Sequence, residues 1–133
     1  MGNPIMHSKS SIKRWGGKLE DYLPLHKKMD CSKKYMNTNV HRVLTHTMFW
    51  IEEVMIPLYG DYITNSDNKI ISVKDICEYH ILEDFKFKFI PTVQDYLENI
   101  EYKSWYDNGI GELPSSVKPI SEAKIKLSKT IKD

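Results

Sequence analysis

Residues 40–59 are the segment that most limits what this chain can fold into. Val40, Val43, Leu44, Thr47, Ile51, Val54, Met55 and Leu58 fall within one broad face at about 100° per residue. The spacing predicts a central core helix, ended by Pro57 and Gly60. Its opposite side carries His41, Arg42, Thr45, His46, Phe49, Glu52 and Glu53, and spacings of four and seven bring Arg42, His46 and Glu53 together. A helix of this kind must bury its stripe against other elements, so the expected fold is mainly α.

The flanking segments supply those elements. Residues 8–15 read as a short helix, stopped by Gly16-Gly17, which supply left-handed backbone at a helix end. Asp21 caps a second helix with Pro24 in its first turn, and Leu25, Met29, Ser32 and Met36 recur at helical spacing. The adjacent stripe holds His26, Asp30 and Lys33, and Asn37-Thr38-Asn39 breaks the pattern. Two β-favouring runs, 62–64 and 69–73, flank the polar turn at 65–68 and predict a hairpin near 62–73. Ser72, with Asp75 three positions on, starts a helix through Phe85 that sets His80 beside Glu83 and Asp84. Thr92 caps a helix carrying Val93, Tyr96, Leu97 and Ile100. Glycines and prolines then punctuate 107–119, and Ile120, Lys124, Leu127 and Ile131 form a thin helical stripe. The expected organisation is one domain of four to five helices with a hairpin over 1–112, then a C-terminal arm or frayed helix over 113–133.

At 133 residues the chain suits one domain that buries roughly two thirds of its unfolded surface. It needs no metal or disulfide merely to stay folded, so a cluster of metal-type ligands requires another reason. Nineteen basic against 18 acidic residues leave a formal charge of +1, which argues against a generic nucleic-acid binder. No apolar run approaches the roughly 18 residues of a membrane span, and the first residues lack a secretory apolar core; a cytoplasmic protein is expected. Cys31 and Cys77 are too few and too far apart for a disulfide framework or a C-x-x-C site and are expected as reduced thiols.

Two constellations carry chemistry. The first is His41, His46, His80, Glu83 and Asp84 with His26 and Asp30, imidazoles and carboxylates that suit Zn, Mn or Fe when helices converge. His41 and His46, five apart, diverge by about 140° on a helix, so one of them is expected to ligate, whereas His80 and Asp84 at i, i+4 can share an ion. The second is a metal-free pocket of Arg42, Lys33, His26, His46 and Glu53 with the rings of Phe49, Trp50, Tyr79 and Trp105, groups that clamp an anion and stack on a planar base. No His-Asp dipeptide, nucleophile elbow or phosphate loop occurs, which argues against common phosphohydrolases, esterases, NTPases and dehydrogenases.

The order of blocks, Gly16-Gly17, DYLPLH at 21–26, SK at 32–33, HR at 41–42 with His46, Gly60, ITNSD at 63–67, HILED at 80–84 and IPT at 90–92, resembles a family of small uncharacterised bacterial and phage proteins over about residues 7–105. The resemblance implies that His26, His41, Arg42, His46, His80, Glu83 and Asp84 belong to one recurring site; it implies no reaction. Small phage proteins of this size include binders that sequester nucleotide immune signals. By analogy, the expected function is binding of a small anionic, nucleotide-like ligand without a cofactor. His26, Lys33, His41, Arg42, His46, Glu53, His80 and Asp84 would line the pocket, and a homo-oligomer using the C-terminal arm is the partner state considered. The alternatives are a phosphoester hydrolase with a divalent metal such as Zn or Mn on His80, Asp84 and His41 or His46, and a protein-interaction module without a ligand.

Overall fold

The computed structural model describes residues 3–36, 38–98, 100–112, 114–116 and 120–131. The chain is mainly α with one two-stranded antiparallel hairpin, and it divides into two compact units, residues 1–99 and 100–133.

Helix α1 (Pro4–Trp15) starts four residues earlier than the expected 8–15, because Asn3 Oδ1 accepts the Met6 N–H at 2.9 Å and Pro4 occupies the first helical position. It stops at Gly16 and Gly17, with φ of +80° and +82°. A Cβ on Gly17 would fall 2.5 Å from Asp21 Oδ2. That close approach locks the turn onto the hairpin, since Gly17 N–H donates to Asp67 Oδ2 at 2.8 Å and Asn65 Nδ2 donates to the Trp15 carbonyl at 3.1 Å. Helix α2 (Leu19–Met29) begins ahead of Asp21, whose carboxylate accepts the Lys18 N–H at 2.7 Å and the Ser66 N–H at 2.9 Å. Pro24 therefore lies inside the helix instead of in its first turn.

The expected continuous helix over 40–59 is broken. A 3-10 turn (Asn39–His41) leads into α3 (Arg42–Thr45), and the chain leaves helical geometry at His46 and Thr47. Thr47 Oγ1 then caps α4 (Met48–Trp50), which runs through a π turn (Ile51–Met55) into α5 (Ile56–Tyr59). The expected burial is inverted in the first half: Val40 and Leu44 are exposed, whereas His41, Thr45 and His46 are buried. Ile51 and Met55, on the π turn, are buried in the apolar core, and Met48, Trp50, Ile56 and Tyr59 pack against it partly buried. Hydrophobic periodicity cannot find a helix whose buried side is polar.

Strands β1 (Tyr62–Thr64) and β2 (Ile70–Ser72) pair with Ile63 opposite Ile71, as the two β-favouring runs predict. Ser72 Oγ caps α6 (Val73–Asp84) by accepting the Asp75 N–H at 3.2 Å. After α6, Lys86 and Phe87 both adopt left-handed backbone, with φ of 55° and 59°, and the Phe87 N–H closes on the Leu82 carbonyl at 2.7 Å. Thr92 and Asp95 form a reciprocal cap on α7 (Val93–Leu97). In the second unit α8 (Trp105–Asn108) ends at left-handed Gly109, and α9 (Glu122–Ile131) follows within the expected arm. No helix among the described residues is long and apolar enough to cross a membrane, and both cysteines are free.

The interior of the first unit has two halves. Tyr22, Leu25, Met29, Ile51, Met55, Ile71, Val73, Ile76, Cys77 and Ile81 form the apolar half. The other half is polar and takes His7, Ser8 and Ser11 from α1, His26 and Asp30 from α2, and His80 from α6.

Lys86 stands where a glycine is usual, and a side chain in left-handed backbone costs about 1–2 kcal/mol. Lys86→Gly is expected to raise stability by about 0.5–1 kcal/mol in urea unfolding, since this exposed side chain is not needed for packing.

Candidate metal centre

All five histidines are buried, and they meet in the polar half. His80, on the buried side of α6, is central. Its Nε2 lies 3.1 Å from Asp30 Oδ1 and 3.7 Å from Asp84 Oδ2, and its Nδ1 lies 2.8 Å from His26 Nδ1. His46 Nε2 lies 2.8 Å from Asp84 Oδ2 and 3.7 Å from Asp30 Oδ1. One ligand atom from each of Asp30, His46, His80 and Asp84 therefore falls within 4.8 Å of the other three. The break after Thr45 makes this arrangement, because it frees His46 from helical spacing and lets the side chain reach the end of α6. Asp30 arrives by a similar route, as the residue that ends α2 before a 3-10 turn (Cys31–Lys34).

Further contacts fix the imidazoles. Ser11 Oγ lies 2.8 Å from His26 Nε2 and 3.2 Å from the His7 carbonyl; Thr45 Oγ1 lies 3.0 Å from His46 Nδ1; Ser32 Oγ lies 3.2 Å from Thr45 Oγ1 and 2.8 Å from His41 Nδ1. His7 stacks on His80 with centroids 3.7 Å apart, its Nδ1 is 2.7 Å from Glu83 Oε1, and its Nε2 is 3.2 Å from Asp84 Oδ1. His7, His26 and His80 also present nitrogens close together. His7, however, meets His80 face to face, and His26 Nδ1 and His80 Nδ1 are joined by a direct hydrogen bond, so the nitrogens of this trio are engaged with one another.

Burial drives His26 down to about 2, helped by His80 and His7, and drives His80 down to about 4 against the opposing pull of Asp30. Burial also lowers His41. For His7 burial acts in the same sense, but hydrogen bonds to Asp84 and Glu83 outweigh it and lift the group to about 9. Asp30 and Asp84 are held below the usual carboxylate range, because hydrogen bonds from His80 to Asp30 and from His46 and His7 to Asp84 overcome the effect of burial. The centre thus presents neutral imidazoles at His26 and His80 beside ionised carboxylates, the protonation state a divalent cation requires.

The sequence candidates divide accordingly. His26, His46, His80 and Asp84 come together with Asp30. His41 sits one layer away, edge-on to His46 at 5.6 Å. Lys33 Nζ lies 3.8 Å from Asp30 Oδ2, and Arg42 Nη2 lies 3.8 Å from Asp84 Oδ1. Lys33 and His41 share a recess of about 160 Å³, below the roughly 300 Å³ from which small-molecule sites begin. Glu53 does not join: the break at His46 and the π turn remove it from the face of Arg42 and His46 and leave it exposed. Phe49 is also exposed, Trp50 packs on the apolar core, and Trp105 belongs to the second unit. Sequence reasoning missed His7 and Arg14. The one available signal was the row His7, Ser8 and Ser11, a polar stripe on α1 that a buried helix face explains.

The span 2–106 matches the model of a domain of unknown function, DUF6915, and the chain belongs to that family. The matched span contains every residue of the cluster. No curated protein and no solved structure matches the chain.

Among the described residues, the hydroxyl of Ser11 is the only hydrogen-bond partner of His26 Nε2. Ser11→Ala leaves a buried imidazole nitrogen unpaired and is expected to cost about 1–3 kcal/mol in urea denaturation, with helical circular dichroism preserved.

Proposed function

We propose that the chain binds one divalent metal ion, Zn or Mn, on Asp30, His46, His80 and Asp84, and uses it to hydrolyse a phosphoester. The observation that carries the reading is the convergence of those four ligand atoms. Ligand bonds of about 2.0–2.2 Å in a tetrahedral site put neighbouring donors about 3.3–3.5 Å apart. The nitrogen–oxygen separations of 2.8, 3.1, 3.7 and 3.7 Å straddle that spacing.

The surrounding hydroxyls support the same reading. A His that gives Nε2 to a metal donates its other N–H outward. His80 Nδ1–H then donates to His26 Nδ1, His26 Nε2–H to Ser11 Oγ, and Ser11 O–H to the His7 carbonyl, with every pair already in place. His46 Nδ1–H donates to Thr45 Oγ1, whose hydroxyl passes to Ser32 Oγ. Asp30 Oδ1 is the oxygen that faces the two imidazoles, while Oδ2 accepts no hydrogen bond and lies 3.8 Å from Lys33 Nζ. With four protein donors, the ion would take water or a phosphoryl oxygen only in a fifth or sixth coordination position, which Mn accepts readily and Zn on expansion, and there it would supply Lewis acidity and acidify water. The chain's own part is to hold the donors in a dry, rigid cage and to keep the substrate's negative charge close through Lys13 and Arg14, which line the same cleft as His7.

Metal analysis by mass spectrometry tests this reading. Wild-type protein exchanged against micromolar Zn or Mn is expected to retain one ion per chain, while Asp84→Asn and His80→Ala lose it and His41→Ala keeps it. Hydrolysis of p-nitrophenyl phosphate is expected to fall more than 100-fold on chelation and to return with the metal. A wild-type chain that retains no ion after dialysis would sink the proposal.

A further inference from the structure

We infer that the cleft between α1 and the end of α6 binds a phosphate ester with a flat or apolar body, and that it is the substrate site of the centre; the second part rests on the hydrolase reading. The cleft has a volume of about 510 Å³ and is lined by Met6, His7, Ser10, Lys13, Arg14, Glu83 and Phe87. That volume lies within the range of about 300–1,000 Å³ for sites that bury a small molecule.

The charges in the cleft favour an anion. Glu83 is engaged on both oxygens, by His7 Nδ1 at 2.7 Å and by Arg14 Nη1 at 3.3 Å. Arg14 also lies flat over Tyr79, with its guanidinium carbon 3.8 Å from the ring centroid, so its position is fixed before a ligand arrives. Lys13 has no ion-pair partner among the described residues, and its ammonium group is the charge left over. Ser10 adds a hydroxyl on the same helix face, three residues before Lys13 and four before Arg14. Together these groups supply what a phosphate needs: a fixed guanidinium, a mobile ammonium and a neutral donor.

Met6 from α1 and Phe87 from the turn after α6 add apolar groups to the lining. Phe87 and Met6 are 56% and 54% exposed although both are large and hydrophobic. Phe87 is kept there by its own backbone, because the left-handed turn at Lys86 and Phe87 carries the ring to the cleft side of α6. An aromatic ring in such a lining is a stacking surface for a flat organic group.

His7 ties the cleft to the centre. It forms the wall, yet it is only 3% exposed, and behind it lie His80 at a stacking distance of 3.7 Å and Asp84 Oδ1 at 3.2 Å. A phosphate held by Lys13 and Arg14 is thus one imidazole ring from the proposed ligands. Lys33 and Arg42, the pair expected from the sequence to hold an anion, lie 3.8 Å from Asp30 Oδ2 and from Asp84 Oδ1, so the inferred phosphate site uses Lys13 and Arg14.

Calorimetric titration of the full chain with inorganic phosphate and with phenyl phosphate, with metal content measured on the same samples, tests the inference. Wild type is expected to bind both and to prefer phenyl phosphate. Lys13→Glu is expected to weaken both at least tenfold with metal per chain unchanged, and Lys13→Ala to weaken both by a smaller factor. Phe87→Ser is expected to remove the preference and to leave phosphate affinity in place. Wild type that binds neither probe at millimolar concentration, or Lys13→Glu that binds both as well as wild type, overturns the cleft. The cleft pattern without bound metal overturns the hydrolase reading alone, and bound metal without the cleft pattern overturns the cleft alone.

Discussion

Five imidazoles and the carboxylates of Asp30, Glu83 and Asp84 share one interior, and the rest of the first unit is arranged around keeping each of them partnered. A carboxylate taken out of water costs several kcal/mol unless other groups replace its solvation. Asp84 meets this with His46, His7 and Arg42, and Asp30 with His80 and Lys33. These partners come from α1, the 3-10 turn after α2, α3, the residue that breaks the chain after α3, and α6. No one of these elements can move without leaving a buried charge or a ring nitrogen unpaired.

This constraint explains departures from regular structure that would otherwise look like defects. A continuous helix over 40–59 would keep Val40 and Leu44 inside and send His46 elsewhere. The chain instead keeps the bond from the His46 N–H to the Arg42 carbonyl at 2.8 Å, leaves helical backbone geometry at His46 and Thr47, restarts through the Thr47 cap, and realigns Ile51 and Met55 on the core through a π turn. The apolar half of the interior then holds the other side of α2 and α6, with Tyr22 and Asn65 stitching the Gly16-Gly17 turn to the hairpin. A metal in the cage would add to stability in proportion to its binding, since it favours only the folded arrangement.

Much of the local structure was legible from residue types. The hairpin near 62–73, the Ser72 and Thr92 caps and the stop at Gly16-Gly17 each follow from short-range rules about turns and helix ends. His46, His80 and Asp84 could be grouped in advance as candidate ligands, and so could His26 and Asp30, because they carry the right chemistry at helical spacing. Glu53 was grouped with Arg42 and His46 as a pocket residue by helical spacing and lies apart from them, because that spacing assumes a helix the chain interrupts seven residues earlier.

What the sequence by itself determined is therefore the menu: a mainly α chain, a hairpin near 62–73, and a surplus of imidazoles and carboxylates with no need of them for folding. Only the tertiary structure decided which face is inside. Periodicity ranks faces by hydrophobicity, and here the buried faces of α1 and α3 are polar, with His7, Ser8, Ser11 and Thr45 turned inward to partners more than 60 residues away along the chain in the case of His7 and Glu83. That pairing depends on the packing of α1 against α6, a long-range contact that no local rule encodes. It is the same packing that opens the cleft between Lys13, Arg14 and Phe87.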